Sequence, residues 1–323
     1  TLDKLESIPG FRTDLSQVEF LSVLEAVGVA MIGQTEEIAP LDRQLYALRD
    51  ATATVPSIPL IAASIMSKKL AEGIDGLALD VKTGAGAFLP GLGESRELAA
   101  TMVRLGERYG VRTSALVTGM DAPLGRAVGN GLEAREALEC LVGEGPHDLV
   151  ELTLALAGEM LFVGGLAASP AEGASRARGV LRGGEALNRM ARMVELQGGD
   201  PRAVENPARI PGAPAVGVVE ADRSGYVSEV KPVPLGYGVV ELGGGRRRMD
   251  DSVDLTVGFV LHVRCGDRVE VGDPLGEVHA ADGDGLSHGS SVLRKAVTLQ
   301  DQPLDRGWSP SDSPAVVLER IGE

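Results

Sequence analysis

Apolar residues over roughly the first 200 positions follow two alternating patterns, a 3.6-residue period and short unbroken apolar runs. The periodic pattern predicts an amphipathic helix over Leu15 to Ala26, and the run Val27 to Ile32 predicts a buried strand. Leu41 to Glu72 reads as helices interrupted at Val55-Pro-Ser-Ile-Pro59. A strand follows over Ile74 to Val81, a helix over Glu94 to Tyr109 and a strand over Val111 to Thr118. From Glu133 to about Gln197 the pattern is nearly all helical. Helices alternating with buried strands predict an α/β fold around a mostly parallel sheet.

The pattern changes after about Pro211. Valines, glycines and turn residues dominate Gly225-Tyr-Val227, Gly236-Tyr-Gly-Val-Val-Glu-Leu242, Val257-Gly-Phe259 and Gly266-Asp-Arg-Val-Glu-Val-Gly-Asp-Pro274. Short strands joined by Gly-Asp turns predict an antiparallel β unit within a C-terminal α+β module. The last of these runs is similar to biotinyl/lipoyl carrier folds, but such a carrier needs a modifiable lysine at a hairpin tip, and Lys231 is flanked by Val and Pro. The Gly/Asp/Ser-rich stretch Ala281 to Ser291 reads as an exposed loop.

At 323 residues the chain is long enough for two or more domains, and its 44% hydrophobic content is that of a globular protein. A net charge of −15, from 31 basic and 46 acidic residues, disfavours a nucleic-acid or anionic-membrane surface. It leaves room for an anionic substrate in a locally basic pocket. No apolar run reaches the ~20 residues of a membrane span. The two cysteines, Cys140 and Cys265, make neither a disulfide framework nor a zinc spacing and are expected as buried thiols in a cytoplasmic protein. His147, His262, His279 and His288 are scattered without ligand spacing. Gly243-Gly-Gly-Arg-Arg-Arg248 lacks the spacing of a phosphate loop and reads as a glycine turn with exposed arginines.

One constellation carries chemistry. Ser64 and Lys68 stand four apart on an expected helix and so share a face, and Arg49 adds a planar fork of donors. Such a trio suits a flat, polar, electron-rich ligand whose oxygens gain charge as it leaves, and a pyrimidine base is one.

At Tyr46-Ala-Leu-Arg through Ser64-Ile-Met-Ser-Lys68 the sequence resembles the pyrimidine nucleoside phosphorylase and thymidine phosphorylase family. Further matches run along essentially the whole chain: Thr1 to Gly10, Val29-Ala-Met-Ile-Gly-Gln-Thr35, Leu79-Asp-Val-Lys-Thr-Gly-Ala-Gly-Ala-Phe88, Pro123 to Glu133 and Gly243-Gly-Gly-Arg246. The resemblance implies reversible phosphorolysis of pyrimidine nucleosides (thymidine, deoxyuridine, uridine) to free base and (deoxy)ribose 1-phosphate. It implies phosphate as co-substrate, no organic cofactor, a homodimer and a cytoplasmic setting.

The resemblance also implies a layout: an α/β domain from 1–40 and 73–210, part of a small helical domain at 41–72, and a C-terminal module at 211–323. The substrate would sit in the cleft between the first two, with closure needed for turnover. Family members carry an upstream phosphate-binding Lys/Ser loop and a base-contacting His, which this sequence lacks, so the chain is expected to be an N-terminally truncated fragment, inactive by itself.

By the same resemblance, Arg49, Ser64 and Lys68 would donate to the base. Each has a plain alternative, respectively a surface arginine beside Asp50, a helix serine bonded to its own backbone, and a solvated lysine like Lys69. Tyr46 would pack beside the base or the arginine, and Val55, Ile61 and Phe88 would form apolar walls, although each also suits ordinary core. Phe88 follows Gly84-Ala-Gly86, expected to be a mobile loop. Thr1 would hold phosphate at a helix start, or simply cap that helix. Leu124 and Ala127, through backbone carbonyls, and Glu136, through its carboxylate, would hold a potassium ion; Glu136 reads equally as a helix-surface glutamate. Two other readings remain: a phosphoribosyltransferase on a related fold, whose diphosphate loop and magnesium ligands are not found, and a non-catalytic binding fragment.

Overall fold

The computed structural model describes residues 2–33, 57–248, 251–304 and 316–322. They fall into two compact units. The first takes the described residues of Thr1–Gly33, Ala122–Val150 and Val180–Ser313, and the second those of Gln34–Asp121, Glu151–Gly179 and Pro314–Glu323.

Helices α1 (Leu2–Glu6) and α2 (Gln17–Val27) open the first unit. Ser16 caps α2 in a reciprocal box with Glu19, and Gly28 ends the helix at φ 82°. The strand expected over Val27 to Ile32 does not form among the described residues. The side-chain amide of Gln197, 1% exposed, supplies the pairing a neighbouring strand would give: Met31 N donates to its Oε1 at 3.0 Å, and its Nε2 donates to the carbonyls of Met31 and Arg12, each at 2.8 Å.

The second unit holds α3 (Ile58–Ala71), β1 (Gly76–Thr83), α4 (Leu92–Arg108) and β2 (Arg112–Gly119). β1 and β2 pair in parallel, from Gly76 opposite Arg112 to Thr83 opposite Gly119. The last strand, β10 (Val317–Ile321), is antiparallel to β2 with an irregularity between Val317 and Glu319. The expected parallel sheet is thus one parallel pair with an antiparallel edge among the described residues. Alternation along β1 buries Leu77, Leu79 and Val81 against Leu98, Ala99 and Met102 of α4 and Ala62 and Met66 of α3. Gly106 lets α4 approach β2, since a Cβ there would lie 2.0 Å from Thr113 Oγ1.

The chain continues through β3 (Ala127–Val128), α5 (Asn130–Leu141), α6 (His147–Val163), α7 (Pro170–Arg182), α8 (Glu185–Leu196) and α9 (Arg202–Glu205). Ile8, Phe11, Val23, Leu138, Met193 and Val204 share one core of the first unit.

The module after Pro211 contributes β4 (Ala215–Glu220), β5 (Gly225–Val230), α10 (Pro232–Glu241), β6 (Gly258–Leu261), β7 (Arg268–Val269), β8 (Pro274–Ala280), α11 (Gly283–Ala296) and β9 (Val297–Gln300). Its two antiparallel sheets run β3-β6-β8-β4 and β7-β5-β9. The Gly-Asp turns form as expected: Asp267 accepts from Arg264 N at 2.7 Å, and Asp273 from Glu270 N at 2.8 Å.

Two glycine-rich segments depart from expectation. Gly236 to Leu242 belongs largely to the helix α10, which starts with Pro232 in its first turn, and Ala281 to Ser291 lies mostly in α11, capped by Asp282 onto Gly285 N at 2.8 Å. Their glycines are contact points. A Cβ on Gly238 would lie 2.7 Å from Val292 Cγ1, and one on Gly289 would lie 2.4 Å from Val278 Cγ1. Lys231 is the N-cap residue of α10 rather than a hairpin tip. Among the described residues no helix is long and apolar enough to cross a membrane.

Candidate functional site

Helix α3 sets the geometry of the site. Ala62 and Met66 face the core at 1% and 2% exposure, so positions 61, 64, 65 and 68 are displaced around the helix from that seam. Ser64 and Lys68, one turn apart, meet: Lys68 Nζ donates to Ser64 Oγ at 3.0 Å. Lys69 points elsewhere and pairs with Glu72 at 3.0 Å.

Ile61, Ser64 and Ile65 form one wall of a cavity of about 300 Å³ in the second unit. The other walls are Asp80, Val81 and Lys82 of β1, Phe88 and Leu89 of the following loop, and Leu98 and Met102 of α4. A mostly apolar lining with a few converging polar groups suits a small, flat, partly polar molecule. Phe88 is 77% exposed at this cavity, which excludes the core alternative for it.

The loop that carries Phe88 is tied down. Ala85 N donates to Asp121 Oδ1 at 2.9 Å, Gly86 N to the Met120 carbonyl at 2.8 Å, and Gly84 N to the Pro90 carbonyl at 3.1 Å. Gly84, at φ 106°, is required there, since a Cβ would stand 2.6 Å from Asp121 Oδ1. Glycine is the one residue type that fits this turn without strain.

A polar group that sequence reasoning missed stands at the carboxyl ends of β1 and β2. Lys82 Nζ lies 2.7 Å from Asp80 Oδ2 and donates to Thr118 Oγ1 at 3.0 Å, and Thr118 Oγ1 donates to Asp80 Oδ1 at 2.5 Å. The available signal was two charged residues, Asp80 and Lys82, at alternate positions of an otherwise apolar strand.

In the first unit, Glu136 of α5 is 7% exposed, so it is not a helix-surface residue. Its Oε1 accepts from Arg126 N at 2.8 Å and from Ala127 N at 3.1 Å. Its Oε2 faces Gly125 (φ 73°), where a Cβ would lie 2.3 Å away. Burial pushes the Glu136 carboxyl above the usual carboxylate range, the two backbone N–H groups oppose this, and Glu133 and Asp148 add to the rise. A buried carboxylate among acidic neighbours, beside the Leu124-to-Ala127 turn, is a donor set of the kind a hard monovalent cation takes. Among the described residues no group of three or more His, Cys, Asp or Glu is placed to hold a metal ion.

Three of the histidines lie near carboxylates: His262 and His279 flank Glu277 at 3.4 and 3.3 Å, and His288 contacts Glu241 at 2.8 Å. Cys140 is buried, its thiol pushed up to about 11 by desolvation, whereas Cys265 is only half-buried, against the expectation of two buried thiols. Of Gly243 to Arg248, Arg246 is exposed as expected and pairs bidentately with Asp3 at 2.8 and 2.9 Å. Thr1, Tyr46, Arg49 and Val55 lie outside the described residues.

Two family models match the chain. One, described as the a/b domain of a glycosyl transferase family, matches residues 1–187, and one described as the pyrimidine nucleoside phosphorylase C-terminal domain matches residues 226–300.

Proposed function

The chain belongs to the pyrimidine nucleoside phosphorylase family, with a pentosyl-transferase type of function, and from that premise we propose that it serves the reversible phosphorolysis of thymidine, deoxyuridine and uridine. The observation that carries the reading is the Lys68–Ser64 pair, with Ser64 on a cavity whose mostly apolar walls include Ile61 and Phe88.

In this reaction phosphate attacks C1′ of the pentose and the pyrimidine leaves through its N1. Negative charge spreads over the ring oxygens as the bond breaks. Fixed donors on those oxygens bind the transition state more tightly than the ground state. Lys68 supplies a full positive charge, and Ser64, whose oxygen accepts from Lys68, keeps its own proton to donate to the base. In this reading Arg49 would be the third donor, Tyr46 would pack beside the base or the arginine, Val55 would add an apolar wall, and Thr1 would hold phosphate. Ile61 and Phe88 hold the ring by apolar contact.

A potassium ion at Leu124, Ala127 and Glu136 belongs to the same reading, as do a homodimer, a cytoplasmic setting, and domain boundaries near residues 40, 72 and 210. Such an ion would neutralise the Glu136 carboxylate and so steady the Gly125 turn.

The test is phosphate-dependent release of uracil and thymine from their nucleosides, followed by chromatography, with this chain alone and with the chain extended by its preceding coding sequence. Base release that requires phosphate supports the reading. No release from either, with folding verified, removes it.

A further inference from the structure

Resting on the base-binding reading of the cavity, we propose that Asp121 is a positioning residue for base binding, holding the turn that presents Phe88 to the pyrimidine ring. Phe88 lines the cavity yet is 77% exposed. Close packing by neighbours is what normally fixes where a side chain stands. A ring this exposed has little of it, so its place follows from the backbone of its loop.

That backbone is held at its ends and at its tip by different groups. The ends close on interior residues. Thr83 Oγ1 and Gly84 N both donate to the Pro90 carbonyl at 3.1 Å, and the hydroxyl of the fully buried Ser95 lies 3.0 Å from the Leu89 carbonyl and 3.2 Å from that of Lys82. At the tip, Ala87 N donates to the Gly84 carbonyl at 3.0 Å, closing a turn directly ahead of Phe88. This turn leans on the segment after β2: Gly86 N donates to the Met120 carbonyl at 2.8 Å and Ala85 N to Asp121 Oδ1 at 2.9 Å. The first bond joins two backbones and does not depend on side-chain type. The second is charge-assisted and exists only because residue 121 carries a carboxylate at that reach. Asp121 is exposed, as a plain surface acid would be, but its carboxylate sits against the turn: a Cβ on Gly84 would stand 2.6 Å from Oδ1. Without that oxygen Ala85 N–H turns to water, and the tip with Phe88 beside it spreads over more conformations. Ordering them again is a cost that base binding then has to meet.

The experiment is calorimetric titration of uracil into the chain, into its Asp121→Ala, Asp121→Asn and Phe88→Ala variants, and into the Asp121→Ala/Phe88→Ala double variant, with thermal melts alongside. Asp121→Ala is expected to weaken uracil binding about threefold to tenfold. Asp121→Asn keeps an acceptor oxygen at the same reach and is expected to stay within about twofold of the parent. Because Asp121 acts through Phe88, Asp121→Ala should cost nothing further once the ring is gone, the non-additivity of two residues that work together. Asp121→Glu keeps the charge and displaces the oxygen, and it gives the same readout should Asp121→Ala fail to fold. Unchanged affinity in Asp121→Ala, or an equal loss with and without the Phe88 ring, would overturn this inference while leaving the base site intact. A loss in Asp121→Asn as large as in Asp121→Ala would overturn it too, since the acceptor remains. A folded parent chain that binds no uracil would overturn this inference and the base-binding reading together.

Discussion

The Lys68 ammonium and the Ser64 hydroxyl meet at 3.0 Å across one turn of α3, displaced around the helix from the buried Ala62 and Met66. A contact of this kind orders both side chains before any ligand arrives, reducing the conformational entropy that binding must remove.

If the pair serves the leaving base, its loss acts on turnover more than on folding. Ser64→Ala places a stronger helix former at a half-buried position and should leave the melting temperature nearly unchanged. Lys68→Met should cost about 10²- to 10³-fold in kcat/KM, the range seen for a single donor aimed at developing charge, and Ser64→Ala about 10-fold. Steady-state phosphorolysis rates of the chain extended by its preceding coding sequence, with and without each substitution, beside thermal melts separate the two effects. Equal kcat/KM in parent and variants would reject the assignment.

The buried Glu136 carboxylate links cation binding to pH. Because burial raises its pKa in the folded chain, its favourable contribution is complete below the unfolded value and is lost as pH rises through the raised folded value. A cation beside it would offset that loss. Potassium chloride, against choline chloride at equal ionic strength, should therefore raise the melting temperature by a few degrees at about pH 7.5 and by less at about pH 4.5. Glu136→Gln should abolish the difference. Identical melts in the two salts would remove the cation from the reading.

Helix α11 rests on β8 through Gly289. A side chain there would begin 2.4 Å from Val278 Cγ1, so Gly289→Val must push helix and strand apart. Overpacking of this kind costs about 1–3 kcal/mol. Urea unfolding followed by circular dichroism should show a lower midpoint, with the loss partly relieved by Val278→Ala in the double variant. A midpoint equal to the parent's would mean that the helix is not seated as described.

His279 gives the chain an acid-sensitive point. It is 9% exposed, and neither ring nitrogen is hydrogen-bonded among the described residues, although Nε2 stands 3.3 Å from Glu277 Oε2. Desolvation holds its pKa below the usual value of 6.5; Glu277 opposes the shift and Arg135 reinforces it. The unfolded chain therefore takes up the proton more readily, so stability is complete above pH 6.5 and declines as pH falls below it. His279→Gln should flatten the difference in urea midpoint between about pH 7.5 and about pH 5.5. A slope as steep as the parent's would place the acid sensitivity elsewhere.

Much of this protein was legible in the order of its residues. The 3.6-residue period located α4 and most of α2, the short apolar runs located β1 and β2 to within two residues, and the Gly-Asp pairs located the turns of the C-terminal module. The four-residue step from Ser64 to Lys68 already implied their meeting, because helical geometry is local. Glycine was where local reading failed. At Gly238 and Gly289 it permits close packing inside helices, at Gly84 it permits a positive φ beneath Phe88, and nothing in the sequence separates these uses from a turn. Gln197 replaced an expected strand pairing because its partners, Met31 and Arg12, stand more than 160 residues away in the chain. Asp80, Lys82 and Thr118 form a ring only once two strands 36 residues apart align, and Glu136 became a buried carboxylate only once the Gly125 turn closed over it. Sequence determined what depends on neighbours along the chain; the tertiary structure decided what depends on neighbours across it, because burial, desolvation and side-chain pairing exist only after distant segments meet.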